Sequence, residues 1–250
     1  MKSKNISQNH FGIQAQCYDL YTFDYDEDLD FFRSLVSVEQ HVLELGAGTG
    51  RVGIQLIPLC QTYTAIDASP DMIRIFKQKF NDLMSAKPVQ FLVQKMENID
   101  LNRKFDLIIC PFRSFLHLNK TEKIQLLTSI ERHISYRGKF VLAYYPFTIE
   151  HSKKWHEKYF DWEFTDMENN AWIKRDHMRF FDSELKFERT VEFYKNGSLQ
   201  STHDESLYWI SDEDFLKMVN ATSLKIIEKR IGFPTKNGTV GHDVVWTLAK

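Results

Sequence analysis

His41-Val42-Leu43-Glu44-Leu45-Gly46-Ala47-Gly48-Thr49-Gly50-Arg51 is the stretch on which the fold is decided. A short apolar run that ends in a glycine cluster reads as a buried strand closing in a tight turn. Val52, Leu56, Ile57 and Leu59 follow at helical spacing, with Pro58 disturbing the helix. Strand, glycine turn and helix in that order point unpaired helix N–H groups at a ligand, and the missing side chains let the backbone come close to it. Gly48-Thr49-Gly50-Arg51-Val52-Gly53 satisfies the dinucleotide pattern G-x-G-x-x-G. No Gly-Lys-Ser/Thr follows, so the turn is not a P-loop.

Downstream the alternation repeats. Thr62–Ile66 reads as a second strand, and Ser69-Pro70 as an N-cap with proline at the first helical position. The helix it opens carries Met72, Ile73, Ile75, Phe76 and Phe80. Val89–Val93 is a third strand, and Phe105–Cys110 a fourth, covered on both faces. Asn119 and Glu122 make a capping box for a helix over Thr121–Ile134, and Gly138 stops the chain before a fifth strand at Lys139–Tyr144. Five such alternations predict an α/β fold built on an open parallel sheet. Upstream, Leu29, Phe31, Phe32, Leu35 and Val36 recur at helical spacing behind an acidic run at Asp24, Asp26, Glu27, Asp28 and Asp30.

After Pro146 the pattern changes. Residues 151–170 show no clear period; from Trp172 the period is two, with Leu185, Phe187, Val191 and Phe193 alternating with polar residues. Asn196-Gly197 is a hairpin turn, and Leu207 and Trp209 continue the second arm, so a small antiparallel sheet is inserted here. Ser211 and Asp214 cap a last helix, before strands near Leu224–Ile231 and Asp243–Leu248. The expected organisation is an N-terminal helical segment over 1–38, a ligand-binding core over 39–147, the inserted sheet over 148–210, and 211–250 completing the core sheet.

The 250 residues suit one domain with an insertion. Lys+Arg 32 against Asp+Glu 34 gives a net charge of −2, which argues against holding nucleic acid by phosphate neutralisation. Three cysteines are too few for a disulfide scaffold and fit a reducing compartment. No apolar run reaches the length of a membrane span, and MKSKNISQNHFG lacks the apolar stretch of a secretory signal, so the expected location is cytoplasmic.

Two acidic residues narrow the ligand. Asp67, at the end of the second strand, is placed to accept hydrogen bonds from a ribose diol, or else caps the turn. Glu44, two residues before Gly46, would repel a pyrophosphate and suits a cationic group such as an amino acid's ammonium. The physics favours a nucleoside ligand without phosphates.

ELGAGTGR, AIDASPDM and FDLIIC together resemble the class I S-adenosylmethionine-dependent methyltransferases over residues 40–145. The resemblance implies a Rossmann-like seven-stranded sheet with the last strand antiparallel, and S-adenosylmethionine as cofactor. It implies that Gly46, Ala47 and Gly48 approach the methionine and ribose, that Glu44 anchors that region, and that Asp67 holds the ribose hydroxyls. Ala68 and Met72 would border the adenine, Met96 and Glu97 its edge, and Cys110 and Phe112 the sulfonium. Lys95 stands where many members carry an acidic adenine contact, leaving Glu97 or a backbone carbonyl to substitute.

Tyr18-Asp19-Leu20-Tyr21, Phe112-Arg113-Ser114-Phe115-Leu116-His117-Leu118 and the inserted sheet are similar to small-molecule methyltransferases, among them amino-sugar N-methyltransferases. His117 is the expected general base or orienting residue, or else a loop cap. Arg113 is a clamp for a substrate carboxylate or phosphate, or a partner of the acidic run at 24–30. Tyr18 and Tyr21 close over the cofactor as a lid, or pack as a helix. Trp155, Trp162, Tyr144 and Tyr145 line an apolar pocket or fill the core. The scattered histidines 151, 156, 177, 203 and 242 lack metal-ligand spacing, and no metal is expected.

The expected activity is methyl transfer to nitrogen or oxygen of a small molecule. The alternatives are an RNA or protein methyltransferase, a nicotinamide-dependent oxidoreductase, and a non-catalytic adenosyl-binding protein. Cys110-Pro111-Phe112-Arg113 lacks the amide side chain that grips exocyclic base nitrogens. The inserted sheet offers an edge for a second copy of the chain.

Overall fold

A computed structural model describes residues 10–83, 87–236 and 238–250; residues 1–9 of the N-terminal segment read above lie outside them. In chain order the helices are α1 (His10–Tyr21), α2 (Leu29–Ser34), α3 (Gly53–Leu56), α4 (Pro70–Leu83), α5 (Lys120–His133), α6 (Ile149–Trp155) and α7 (Asp212–Asn220). The strands are β1 (His41–Leu45), β2 (Thr62–Asp67), β3 (Val89–Val93), β4 (Phe105–Cys110), β5 (Ile134–Tyr144), β6 (Lys158–Thr165), β7 (Ala171–Phe181), β8 (Lys186–Lys195), β9 (Ser198–Tyr208), β10 (Lys225–Thr235) and β11 (Gly238–Ala249). The chain divides into two compact units: Asp26–Pro146 with Ile210–Lys250, and the segment ending at Tyr25 with Phe147–Trp209.

The larger unit holds a seven-stranded sheet in the order β3-β2-β1-β4-β5-β11-β10. Neighbours from β3 to β5 pair parallel, and β11 runs antiparallel to both β5 and β10. The strand order reverses between β1 and β4, so a crevice opens beyond their carboxyl ends. Sequence chemistry explains the elements. Ser69 Oγ accepts from Met72 N at 3.3 Å and Pro70 opens α4. Asn119 and Glu122 close a complete capping box on α5. Ser211 accepts from Asp214 N ahead of α7. Asp106, the polar residue of β4, accepts from His41 N and Ser135 Oγ, each at 2.9 Å, and so ties β1 and β5 to the strand between them.

Three readings need correction. β5 begins at Ile134 and runs through Gly138 instead of starting after it. Phe105 pairs with Ile134 but Leu107 with Lys139, so the strand bulges. Gly138 sits in that bulge because a Cβ there would meet the Phe105 carbonyl oxygen at 2.8 Å. Residues 158–165 form β6, an edge strand of the smaller unit's sheet; a period of two is present there, in Phe160, Trp162 and Phe164 alternating with Asp161 and Glu163. Leu185 is not an inward strand residue: it lies in a turn with φ of 49°.

The smaller unit is an antiparallel sheet in the order β6-β7-β8-β9. Asn196 and Gly197, with φ of 48° and 78°, make the two-residue turn between β8 and β9. Phe187, Val191, Phe193 and Leu207 are buried, as their alternation demands. A charged band crosses the same face. Arg189 bonds Glu205 and, at 3.2 Å, Asp176, which also holds Lys174.

Under the glycine turn of the larger unit, a Cβ on Gly50 would come within 2.2 Å of the Phe76 ring, and Gly50 has φ of 85°. Gly48, with φ of 55°, has nothing within 4 Å of such a Cβ. Gly50→Ala should therefore cost about 2–4 kcal/mol in urea unfolding, strain and overpacking combined. Gly48→Ala should cost only about 1 kcal/mol, the backbone strain alone. Equal costs would contradict this packing.

Candidate active site

The turn after β1 is shaped by what lies around it. Gly46, Gly48 and Gly50 all have positive φ. Ala47 N donates to Ile66 O at 2.9 Å, which docks the turn on β2. A Cβ on Gly46 would strike Ser114 Oγ at 2.3 Å and lie 3.6 Å from the Met96 terminal methyl. Ser114, from the loop after β4, donates to Gly46 O at 3.3 Å. Segments following β1, β3 and β4 therefore converge here.

Asp67 ends β2 beside the turn. Its Oδ2 accepts from Gly48 N and its Oδ1 from Ser69 N, each at 2.8 Å. The carboxylate does cap the turns, one of its two expected roles. It has about four acceptor directions, so two are left, and the residue is partly exposed. Burial raises its pKa; the two backbone bonds pull the other way.

Glu44 is only 1% exposed. Among the described residues its hydrogen bond comes from the Tyr63 hydroxyl, 2.8 Å from Oε2. A Cβ on Gly53 would come within 2.8 Å of the same oxygen, so the carboxyl lies directly against the start of α3. Burial pushes its pKa up to about 8, against the Tyr63 bond and the Arg51 charge, with Asp67 and Asp28 adding to the rise.

The remaining predicted residues fall into place as follows. Met96 and Glu97 start a short 3₁₀ turn after β3; Glu97 is buried, with Lys95 Nζ 3.7 Å from its Oε1. Met72 is buried on α4 and Ala68 exposed ahead of it. Cys110 is fully buried at the end of β4, its thiol pushed up to about 12 by burial and then by Glu44, so it offers shape and not charge. Phe112 has φ of 59°, a left-handed conformation that costs a bulky residue about 1–3 kcal/mol and is typical of functional loops. Arg113 stands over the Phe112 and Tyr145 rings, at 5.2 and 5.7 Å. In the acidic run, buried Asp28 is bonded through both its oxygens by Arg51, at 2.6 and 2.7 Å. His117 is exposed at the end of the 3₁₀ turn Ser114–His117. Behind that turn, Lys123 of α5 is buried and donates to Leu118 O.

Tyr18 and Tyr21 belong to the smaller unit. Tyr21 packs on Phe164 and Phe193, and Lys174 Nζ lies 5.2 Å above its ring. Trp155 and Trp162 are also there: Trp155 contacts Phe147 and Phe160, and Trp162 lies 4.2 Å from Lys174 Nζ. Tyr144, in the larger unit, is core: it stacks on Phe115 and accepts from Trp246 Nε1 at 3.2 Å. Among the described residues, no group of three or more His, Cys, Asp or Glu side chains is arranged to hold a metal, and no helix is long and apolar enough to cross a membrane.

Tyr63, Ser114 and the Asp28–Arg51 pair were not read from the sequence. Tyr63 looks like any inward strand residue, and the other contacts join segments far apart in the chain.

Residues 42–138 match the profile of a family described as a methyltransferase domain. Those residues form a methyltransferase domain. Over 115 residues the chain is 30% identical to a malonyl-[acyl-carrier protein] O-methyltransferase of Acetivibrio thermocellus, a match covering 44% of this chain and 39% of that relative. The methyltransferase domain thus spans well under half of that curated protein's length. An S-adenosylmethionine-dependent methyltransferase from Clostridium acetobutylicum superposes with a TM-score of 0.76 at 19% identity, covering 96% of this chain and 98% of the other. The sugar N-methyltransferase KedS8 from a Streptoalloteichus species superposes with a TM-score of 0.70 at 14% identity, covering 100% and 98%. At these identities the likeness is one of fold.

In the methyltransferase domain, the folded chain holds the Glu44 proton to higher pH than the unfolded chain does. That contribution to stability is complete below about pH 4.5 and is lost as pH rises through about 8. Lys123, pulled down to about 7 by burial, works the other way, since stability is gained as pH rises above that value. The thermal midpoint of Glu44→Gln, compared with wild type across this range without ligand, isolates the first effect. The difference should grow in favour of the variant toward pH 8. A constant difference would contradict a buried, proton-holding Glu44.

Proposed function

We propose that this chain transfers a methyl group from S-adenosylmethionine to a nitrogen or oxygen of a small molecule. The observation that carries the reading is the pair of carboxyl groups, Glu44 and Asp67, at a glycine turn whose Gly48 face is open. Asp67 beside the turn disfavours a pyrophosphate, and Glu44 suits a nucleoside carrying an amino-acid cation. The fit is good at each point. Asp67 has two free acceptor directions for a ribose diol. Gly46, Ala47 and Gly48 leave the backbone accessible, with Glu44 below them. Ala68, Met72, Met96 and Glu97 would flank the adenine, and Cys110 and Phe112 the sulfur. When bound, the cofactor supplies an electrophilic methyl group on a sulfonium.

The chain's own residues then have few tasks. Alignment of the nucleophile and exclusion of water dominate such displacements. Phe112, held in its strained conformation between Arg51 and Arg113, fixes the direction of the loop after β4. Arg113, steadied on two aromatic rings, would clamp a substrate carboxylate or phosphate. His117 would orient the substrate or accept the proton its amine or hydroxyl gives up. The substrate class is supported by the near-neutral charge and by the absence of an amide side chain in Cys110–Arg113. Three buried, unbridged cysteines support a reducing compartment.

Thermal unfolding with S-adenosylmethionine, S-adenosylhomocysteine, NAD and NADP tests the cofactor. At a hundred times its dissociation constant a ligand should add about 2.7 kcal/mol. The first two should stabilise wild type, and Asp67→Ala should lose the effect. Stabilisation by NAD alone would overturn the reading. On a substrate found by screening small amines, hydroxyl compounds and carboxylic acids, His117→Ala should lower turnover by about a hundredfold with little change in cofactor affinity. Full activity would remove His117 from the mechanism, and methylation confined to RNA or protein would remove the substrate class.

A further inference from the structure

The parallel strands of the larger unit begin at the end of the sheet remote from the glycine turn. With five residues in β1 and six in β4, the two ends lie about 17–20 Å apart. Six cations stand on the remote rim. Lys104 precedes β4, Arg132 is in the last turn of α5, and Arg137 and Lys139 lie on the bulged start of β5. Lys225 opens β10, and Lys250 follows β11. Ala249 pairs with both Lys139 and Lys225, which sets those lysines in one row across three strands. All six are exposed.

Cations on the smaller unit's sheet are matched: Arg175, Arg179, Lys186, Arg189 and Lys195 each reach a carboxylate. On the rim, three serve the end of α5. Lys104 donates to Arg132 O, Lys250 to Glu131 O at 3.4 Å, and Arg132 to Ser129 Oγ at 3.2 Å. Arg137, Lys139 and Lys225 have no side-chain partner among the described residues. The acids nearby are engaged or marginal. Asp106 accepts from His41 N and Ser135 Oγ; Glu131 accepts from Ser223 N at 2.9 Å and feels the Lys250 charge. Glu39 and Asp100 are exposed at the margin. Among these cations stands Tyr136, 86% exposed. Among the described residues of the larger unit it is the one exposed large aromatic. Lysine on an edge strand guards against pairing, which accounts for Lys225 on β10. β5 is an interior strand, so that role does not account for Arg137 and Lys139.

We infer that this rim is a docking face for an anionic membrane surface. Four of the six cations are lysines, which protein–protein interfaces disfavour and which act as hydrated point charges in a diffuse field. Single-stranded nucleic acid is held on successive aromatic platforms, and the rim has one. A bilayer rich in acidic lipid requires no matching groove. It attracts each Lys or Arg near its surface, and a tyrosine lies at headgroup depth with its hydroxyl wet. The chain carries a net charge of −2, so the attraction belongs to this rim and orients the larger unit. The glycine turn, at the other end of the same sheet, then faces water and stays open to ligands. The inference is independent of the cofactor reading.

The test is co-sedimentation of the full chain with vesicles of phosphatidylcholine alone or with about 30% phosphatidylserine. The acidic vesicles should retain the protein and the neutral ones should not, and retention should fall as salt rises above about 0.15 M. Arg137→Glu combined with Lys139→Glu should weaken binding about thirtyfold or more. Tyr136→Ser should weaken it about fivefold. Lys153→Glu combined with Lys154→Glu, the same change of net charge on α6, should leave binding unchanged. Circular dichroism checks the fold of each variant. Equal retention by both kinds of vesicle, no retention at about 50 mM salt, or equal loss in the two double variants overturns the inference. Displacement from the acidic vesicles by polyuridylate or polyglutamate at equal charge also overturns it, assigning the rim to nucleic acid or to an acidic protein. Wild-type binding by Tyr136→Ser removes Tyr136 from the face.

Discussion

Phe76 fills the space that side chains would take at Gly50 and Gly53, and much else depends on that exchange. The ring comes from α4, one crossover later in the chain, so the turn and the helix cannot be built independently. With the ring in place the turn is held from below, and Ala47 N on Ile66 O holds it from the side. Asp67 then links this turn to the next one through Gly48 and Ser69. Two crossovers on either side of the β1–β2 pair are thereby locked to each other before any ligand arrives. Preorganisation of this kind lowers the ordering cost that binding would otherwise carry.

The electrostatics follow from the same geometry. A helix start ordinarily attracts anions. Here Glu44 and Asp67 lie at that helix start, and the nearby cation Arg51 is matched by Asp28. The turn keeps the shape of a phosphate cradle and loses its charge preference. That separates an adenosyl-sulfur reading from a dinucleotide reading more sharply than the glycine spacing does, since Gly48–Gly53 fits both patterns.

Much of this was legible in the sequence. The five parallel strands, the helices after β1, β2 and β4, the capping box at Asn119 and Glu122 and the Asn196-Gly197 hairpin rest on local chemistry and stand in the structure, whereas β3 passes to β4 through a 3₁₀ turn alone and the closing antiparallel strand was implied by the family resemblance. β6 is also written locally, in Phe160, Trp162 and Phe164 alternating with Asp161 and Glu163, but the run is short and set among charged residues that mask its period. Local chemistry could not show β5 running through Gly138, since a bulge is defined by the partner strand. In the site, Glu44 and Asp67 announced themselves by type and position. Tyr63 and Ser114 did not, because their significance lies in contacts to Glu44, 19 positions away, and to Gly46, 68 positions away. That Arg51 partners Asp28 of the acidic run likewise depends on which loop folds back beside α2.

The charged band of the smaller unit bears on how this protein can diverge. Lys174, Asp176, Arg189 and Glu205 alternate in sign across three adjacent strands of one sheet face. Loss of Asp176 strands buried Lys174 and costs about 3–5 kcal/mol, whereas exchange of the whole set for apolar residues can be neutral. Single-step drift is therefore penalised along this band, while the solvent-facing residues of the same strands are free to vary. A lineage that retunes this sheet must change these positions in compensating pairs, and traces of that history belong in correlated substitutions rather than in invariant ones.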